Sequence, residues 1–547
     1  MKKVKILLVA LSLGFTTVGL TSCDTNFEEI NQNPNNPEEV PMSTLFNGTN
    51  RYLIEQTRNG WWSARISLPW MQYSAQNIYL DEDRYAYRDA GQAQAGWLES
   101  YRAASNYQQI IKYAQDPDYL KRYNYADGDN TIASARIMLA YTFDNLVTHF
   151  GDVPYWSYGN QDADFQALDI DKYKTPVYAS QEKIYKDLLK ELKEAEAQLS
   201  ASKEGIQGDL IYGGDIAAWK KFANSLRLRI ANRVKAKLPE ANDHIKDAIA
   251  KGVITENAEN AQMAFENSSA NGNPFWKMYY AGTARIDFFP NRTFVTLLKG
   301  EKGTFKKVDP RLFKFAAPKG MNWAEYNKGE NFWYSPDADK DRKKGLGMTK
   351  NNLSDYVGLP YGIPNSLKAQ VEDYFNFNLF SPDVLNATRP EIFIEASEIN
   401  FILSEVNGWS QAEYVKGIEQ SMEKWGVAKT DVTTYLAGLP ASNQENVLVQ
   451  KYIALFMQAD EAWNEYRRTG YPNSSILLMP GAQGTLMDGV TTYTFTPQRS
   501  GNVVAKDIPA RLRYPALQQT LNGKNWEAAK DKLSNKDEID SKLFFAK

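Results

Sequence analysis

Residues 131–154 read TIASARIMLAYTFDNLVTHFGDVP. Within them Ile132, Ala135, Leu139, Phe143, Leu146 and Phe150 recur at steps of three and four, which lines one face of an α-helix. Gly151-Asp152-Val153-Pro154 then ends the helix, because glycine accepts a left-handed cap and proline cannot continue the hydrogen-bond ladder. The same pattern extends outward. Residues 181–199 carry Ile184, Leu188, Leu192, Ala195 and Leu199 on one face, with Lys and Glu opposite. Residues 216–237 do so with Trp219, Phe222, Leu226, Ile230 and Val234. This spacing predicts further helices over 91–114, 391–407, 410–425 and 445–468; in the last, Leu448, Tyr452, Leu455, Ala459 and Trp463 share a face.

Between about 265 and 385 the period is lost. Gly, Pro, Asn and aromatics crowd together there, as in Asn273-Pro274-Phe275-Trp276, Phe288-Phe289-Pro290 and Gly358-Leu359-Pro360-Tyr361-Gly362. A loop-rich stretch of this length inside a domain points to function or disorder, and its aromatic content argues against disorder. No repeat of fixed period is visible. The expected fold is therefore mainly α: one helical body over 42–547, interrupted by a long irregular, aromatic-rich insertion.

The N-terminus sets the location. Met1-Lys2-Lys3-Val4-Lys5 is basic, and the uncharged apolar run from Ile6 to Leu20 is shorter than the about 20 residues a spanning helix needs. Positive start, short apolar middle and small residues at the end are the layout of a signal peptide, assigned to 1–22. Cys23, the single cysteine of the chain, follows directly in Leu20-Thr21-Ser22-Cys23. That arrangement resembles a bacterial lipobox, with Cys23 the acylated first residue; acyl chains bury roughly 0.8 kcal/mol per methylene. Residues 23–41, rich in Asn, Pro and Glu, then read as a lipidated tether.

The chain carries 63 basic and 66 acidic side chains; loss of Lys2, Lys3 and Lys5 with the leader makes the balance more acidic still. That argues against nucleic acid, whose phosphates call for clustered Lys and Arg. With one cysteine no intrachain disulfide forms, so packing must supply the stability. Asp337, Asp339 and Asp341 imitate a calcium loop, but Arg342 stands where Gly is required and Met348 where Glu is. The two histidines, His149 and His244, are too few for a His-based zinc site. No phosphate-cradling G-x-x-x-x-G-K-[ST] stretch occurs. No catalytic residue, metal site or cofactor is assigned. Arg467 and Arg468 read as helix C-terminal charges, and Arg227, Arg229 and Arg233 as a polar face or internal salt-bridge set.

Several segments, in this order and spacing, resemble the SusD/RagB nutrient-binding outer-membrane lipoproteins, most closely SusD-like family 2. They are the lipobox with Asp24 to Asn31, Met71-Gln72-Tyr73-Ser74-Ala75-Gln76-Asn77, Ala135-Arg136 through Tyr155, Trp219 to Arg227, Asp309-Pro310-Arg311-Leu312, Gln450 to Phe456, Glu461 to Pro472 and Ile508 to Pro515. The resemblance implies a scaffold of tetratricopeptide-like helix pairs, held at the cell surface by the lipid on the outer membrane. It implies a SusC-like TonB-dependent barrel transporter as partner, an oligosaccharide or oligopeptide as ligand, and no enzymatic activity.

A sugar ring or peptide backbone is held by flat apolar surface with fixed polar groups beside it. Two regions offer that mixture: residues 72–87, with Tyr73, Gln76, Asn77, Tyr79, Asp81, Arg84 and Tyr85, and the insertion, with Trp276, Tyr279, Arg285, Asp287, Trp323, Trp333, Tyr334, Tyr356 and Tyr361. At least three are expected to line an exposed cleft. The expected function is capture of an oligomeric nutrient for a barrel transporter. The alternatives are a surface-anchored, all-helical glycoside hydrolase, since carboxylates are plentiful and only their separation in space defines that chemistry, and an adhesin without a small ligand.

Overall fold

The structure, a computed structural model, describes residues 39–547 except 87, 160–161, 282–286, 320–351 and 373–375. Cys23 and most of the tether lie outside the described residues, as do Arg285, Trp323, Trp333, Tyr334 and the Asp337–Asp341 stretch.

Helices dominate. α1 (Met42–Thr57), α2 (Gln94–Gln115), α3 (Asp129–Phe150), α4 (Gln181–Gln198), α5 (Ile216–Val234) and α6 (Ala241–Lys251) each pack on the next in turn. α7 (Ala396–Val406), α8 (Gln411–Lys424) and α9 (Gln444–Ala454) pack mutually, and α7 also rests on α5. α10 (Ala459–Thr469) closes the set. The predicted stop of α3 is present: Gly151 has φ +92°, and its N–H donates to the Val147 carbonyl at 3.0 Å. The starts of α4 and α5 follow local capping. Ser180 accepts the Lys183 N–H, and Asp215 accepts those of Ala217 and Ala218.

Two predicted helices need correction. Over 391–407, residues Glu391–Ile394 form a strand, β4, and only Ala396 onward is helical. The run Glu-Ile-Phe-Ile is β-branched and aromatic, and it pairs antiparallel with β2 (Ala261–Met263). Over 445–468 the chain forms two helices, α9 and α10, broken where Met457 turns left-handed at φ +73°. The apolar spacing continues across the break, so periodicity alone misses it.

The insertion is part of the main core. Phe275, Phe289, Phe294, Phe315, Tyr356, Tyr361, Phe377 and Phe380 belong to the same buried cluster as the helix faces. Short helices (Pro274–Tyr280, Arg292–Leu298, Leu312–Phe315) and β3 (Phe288–Pro290) order it. β3 pairs antiparallel with β1 (Ser74–Gln76), placing Gln76 opposite Phe288. The two regions singled out in the sequence therefore meet across this pairing.

The interior is laced with ion pairs. Arg233 of α5 bridges Asp144 of α3 at 2.5 Å and Glu461 of α10 at 2.6 Å, and Arg229 pairs with Glu398 of α7. Arg468 holds Glu405 at 2.6 Å and Glu465 at 2.8 Å. The arginines on α5 thus form an internal salt-bridge set, one of the two readings their sequence allowed, and Arg468, read as a helix C-terminal charge, is held by carboxylates in the same way. Among the described residues, no helix is long and apolar enough to cross a membrane.

Candidate functional site

The site is built on the turn after α1. Asn59 Oδ1 accepts the N–H of Trp61 at 2.8 Å and of Trp62 at 3.0 Å. This Asx turn sends the two neighbouring indoles in opposite directions. Trp62 is buried, with its ring laid over Gly96 of α2, where an added Cβ would come within 1.9 Å of the indole. Trp61 is turned outward and is 56% exposed.

Behind Trp61 stands Arg65. Its guanidinium carbon lies 4.9 Å from the Trp61 ring centroid, 4.7 Å from Tyr79 and 5.7 Å from Phe288. A cation against an aromatic face is attracted by the ring quadrupole, more strongly where water is excluded. Arg65 is 4% exposed, and its charge is met by Glu82 at 2.7 Å, with Asp287 at 4.0 Å. Gln76 is buried beneath and donates from Nε2 to Glu82 at 3.0 Å. Burial pushes the neighbouring Asp83 carboxyl well above the usual carboxylate range, against the opposing bond from the Gln76 backbone N–H at 2.8 Å.

A cleft opens beside Trp61. One part, about 390 Å³, is lined by Glu55, Asn59, Trp61, Arg65, Lys277 and Met278 among others. An adjoining part, about 290 Å³, shares Gln56, Asn59 and Trp61 and adds Gln92 and Glu99. Trp61, with Gln56 and Asn59, thus lines both parts. The helix Pro274–Tyr280 forms the opposite side, capped by Asn273, whose side chain accepts the N–H groups of Phe275 and Trp276. Trp276 is half-buried on this helix and stacks on Tyr280 at 5.6 Å and 22°. The charges at the rim are engaged within the protein. Glu55 accepts from Arg51 at 3.0 Å and from Lys277 at 2.8 Å; Glu99 accepts from Arg102 at 2.9 Å and from the Tyr52 hydroxyl.

A larger pocket, about 730 Å³, lies elsewhere, along Lys307, Phe313, Lys314 and Tyr435. Its aromatic surface is already used: Tyr435 is buried in a satellite core, and Phe313 packs edge-on against Tyr356 at 5.3 Å. It offers lysines and aliphatic walls in place of an open ring face.

The candidates from sequence divide clearly. Asp287 lines the cleft and Tyr79 packs on Arg65 behind it, whereas Trp276 lies on the bordering helix, stacked on Tyr280, and is not among the lining residues. Gln76 and Asn77 are buried behind it; Gln76 supports Glu82, and the Asn77 N–H extends the β1–β3 pairing to the Asp287 carbonyl at 3.4 Å. Tyr73, Tyr279 and Tyr361 are core residues, which corrects their reading as ligand platforms. Tyr73 stacks on Tyr452 at 4.5 Å and 11°. The Tyr279 hydroxyl donates to the Phe288 carbonyl at 2.7 Å, and Tyr361 packs on Phe495 at 5.2 Å. All three are buried in the main apolar cluster. Trp61, Arg65 and Asn59 were missed; the available signal was the Asn-Gly turn preceding two tryptophans.

Comparison with known proteins agrees with this architecture. A family model described as SusD-like, starch-binding and associating with the outer membrane matches residues 34–515. Among solved structures, a chitin-binding protein is 23% identical with a TM-score of 0.70, over 93% of this chain and 100% of that one. A SusD homologue from Parabacteroides distasonis is 22% identical with a TM-score of 0.70, over 93% and 98%. A chitin-binding SusD homologue from Flavobacterium johnsoniae is 19% identical with a TM-score of 0.67, over 92% and 98%. No curated protein sequence matches. The structural likeness carries the fold and the family model carries the membership: the chain belongs to SusD-like family 2, a family of nutrient-binding proteins associated with the outer membrane.

Proposed function

We propose that this protein captures an oligomeric nutrient, a glycan or a peptide, in the Trp61 cleft and passes it to a SusC-like TonB-dependent barrel transporter. In this reading it is anchored to the outer membrane by acylated Cys23, with residues 42–547 as one body exposed at the cell surface. The observation that carries the proposal is the outward Trp61 ring, backed by buried Arg65 and lining two adjoining pockets. A chain of rings or planar peptide units laid along the cleft would cover that face and reach Gln56, Asn59 and Gln92. The rim carboxylates Glu55 and Glu99 are held by cations and a hydroxyl of the protein itself, which suits retention of the ligand rather than its cleavage.

The test is calorimetric titration of the soluble body with malto-oligosaccharides, chito-oligosaccharides and oligopeptides, followed by analysis of ligand length. Trp61→Ala should weaken binding by about 1–2 kcal/mol, roughly 5- to 30-fold, the scale of one aromatic contact with its cation. The recovered ligand should be unshortened. Equal affinity in the variant, or shortened ligand, would overturn the reading.

A further inference from the structure

We propose that Gln56 sets the specificity of the Trp61 cleft, and that the cleft takes an uncharged oligosaccharide in preference to an acidic one or a peptide. The inference rests on the binding reading above and adds to it the chemistry of the ligand. Charge comes first. Among the charged residues that line the cleft and their partners, each already meets an opposite one. Glu55 lies 3.0 Å from Arg51 and 2.8 Å from Lys277, and Glu99 lies 2.9 Å from Arg102. Buried Arg65 lies 2.7 Å from Glu82 and 4.0 Å from Asp287. These cations and carboxylates balance one for one. A charged ligand would have to break a pair to find a counter-ion and would lose its own hydration on entering, whereas a neutral ligand leaves every pair in place.

What the protein leaves unused is an amide. Gln56, in the last turn of α1, lines both parts of the cleft; it is half-buried, and its side chain makes no hydrogen bond to any described residue. Asn59, also in both parts, spends its Oδ1 on the Trp61 and Trp62 N–H groups, and its Nδ2 has no partner among the described residues. An amide offers an acceptor and two donors, and a hydroxyl likewise donates and accepts, so Gln56 can serve adjacent hydroxyls of one sugar from either end. A carboxylate only accepts, and its approach would set the Gln56 Oε1 against like charge. Trp61, exposed beside these amides, covers the apolar face of the ring while they meet its hydroxyl edge. A peptide is served less well. An extended peptide is commonly held by main-chain bonds to a strand edge. The walls here are the helices α1, α2 and Pro274–Tyr280, whose backbone groups bond along the helix. Phe288, the lining residue that belongs to a strand, has its carbonyl taken by the Tyr279 hydroxyl at 2.7 Å.

The test is calorimetric titration of the mature chain with a panel of three kinds. The neutral members are gluco-, manno-, xylo-, galacto- and N-acetylgluco-oligosaccharides, the acidic members galacturono-oligosaccharides, and the peptides acetyl- and amide-capped hexapeptides. At least one neutral member should bind, and no acidic or peptide member should bind as tightly. Its affinity should be the same in about 50 and about 500 mM salt, because no ion pair forms. Gln56→Met keeps the length of the side chain and removes the amide; it should weaken the neutral ligand about fivefold, the size of one lost hydrogen bond, with an unchanged melting temperature. Tighter binding of an acidic oligomer or a peptide, lost in Trp61→Ala, would overturn this inference and leave the cleft reading standing. Full affinity in Gln56→Met, or affinity that falls with salt, would do the same. Binding that Trp61→Ala leaves untouched, or no binding by any member, would overturn the cleft reading and this inference with it.

Discussion

Arg65 is buried against Glu82 at 2.7 Å, and three aromatic rings surround its guanidinium. Removing one partner of a buried pair strands the other. Arg65→Met should therefore destabilise the fold by about 3–5 kcal/mol, read as a lower denaturant midpoint, and should release Trp61 from its backing. A loss below about 1 kcal/mol would show that Glu82 finds another partner. Tyr361→Ala should also cost about 3–5 kcal/mol, because that ring is 2% exposed and fills core volume against Phe495. These residues show why the site was only partly legible in sequence. Aromatic type marks both core and ligand surface, and nothing in the pair Trp61-Trp62 says which ring faces water. The Asn59 turn and the bare backbone of Gly96 decide it, and the second lies on another helix.

Helix spacing was read correctly where the apolar period runs unbroken between a cap and a stop, as in α3, α4 and α5, although α3 is buried nearly all round. It failed where a tertiary partner overrides it. β4 is extended because β2 offers it a ladder, and α9 parts from α10 at a left-handed Met457 that apolar periodicity cannot register. The polar pattern of these helices carries its own consequence. Burial alone would raise the Glu405 carboxyl, but Arg468 in contact, with Lys235 beside it, lowers it to about 2 from an ordinary 4.5. A carboxyl whose folded pKa is depressed stabilises the fold above its unfolded pKa and loses that contribution as pH falls toward the folded one. The stability difference between the wild-type chain and Glu405→Gln should thus be full above pH 4.5 and shrink toward pH 2. Denaturant titrations at pH 7, 4 and 2.5 check it, and a constant difference would contradict the assigned partners.

At the scale of the molecule, the class of fold was legible because paired amphipathic helices leave a strong signal, and the quoted segments place the chain within a family that the comparison confirms. The insertion was less so. Among its described residues, most of its aromatics face inward and join the main core, so what reads there as loop is largely interior. Tethering and binding should be separable, since the cleft lies on the folded body and Cys23 precedes it. Cys23→Ser is expected to abolish labelling by a fatty-acid analogue and to release the protein from the membrane fraction, while leaving ligand affinity unchanged. Retention of the label in that variant would place the acyl chain elsewhere. The opposite fates of the tryptophans have an optical use. Trp70, Trp219 and Trp463 are fully enclosed, whereas Trp61 meets solvent. The emission lost on Trp61→Phe therefore isolates a red-shifted, quencher-accessible fluorophore seated on the cleft itself, and a glycan or peptide settling over it would announce its arrival by shielding that light, with no dye attached.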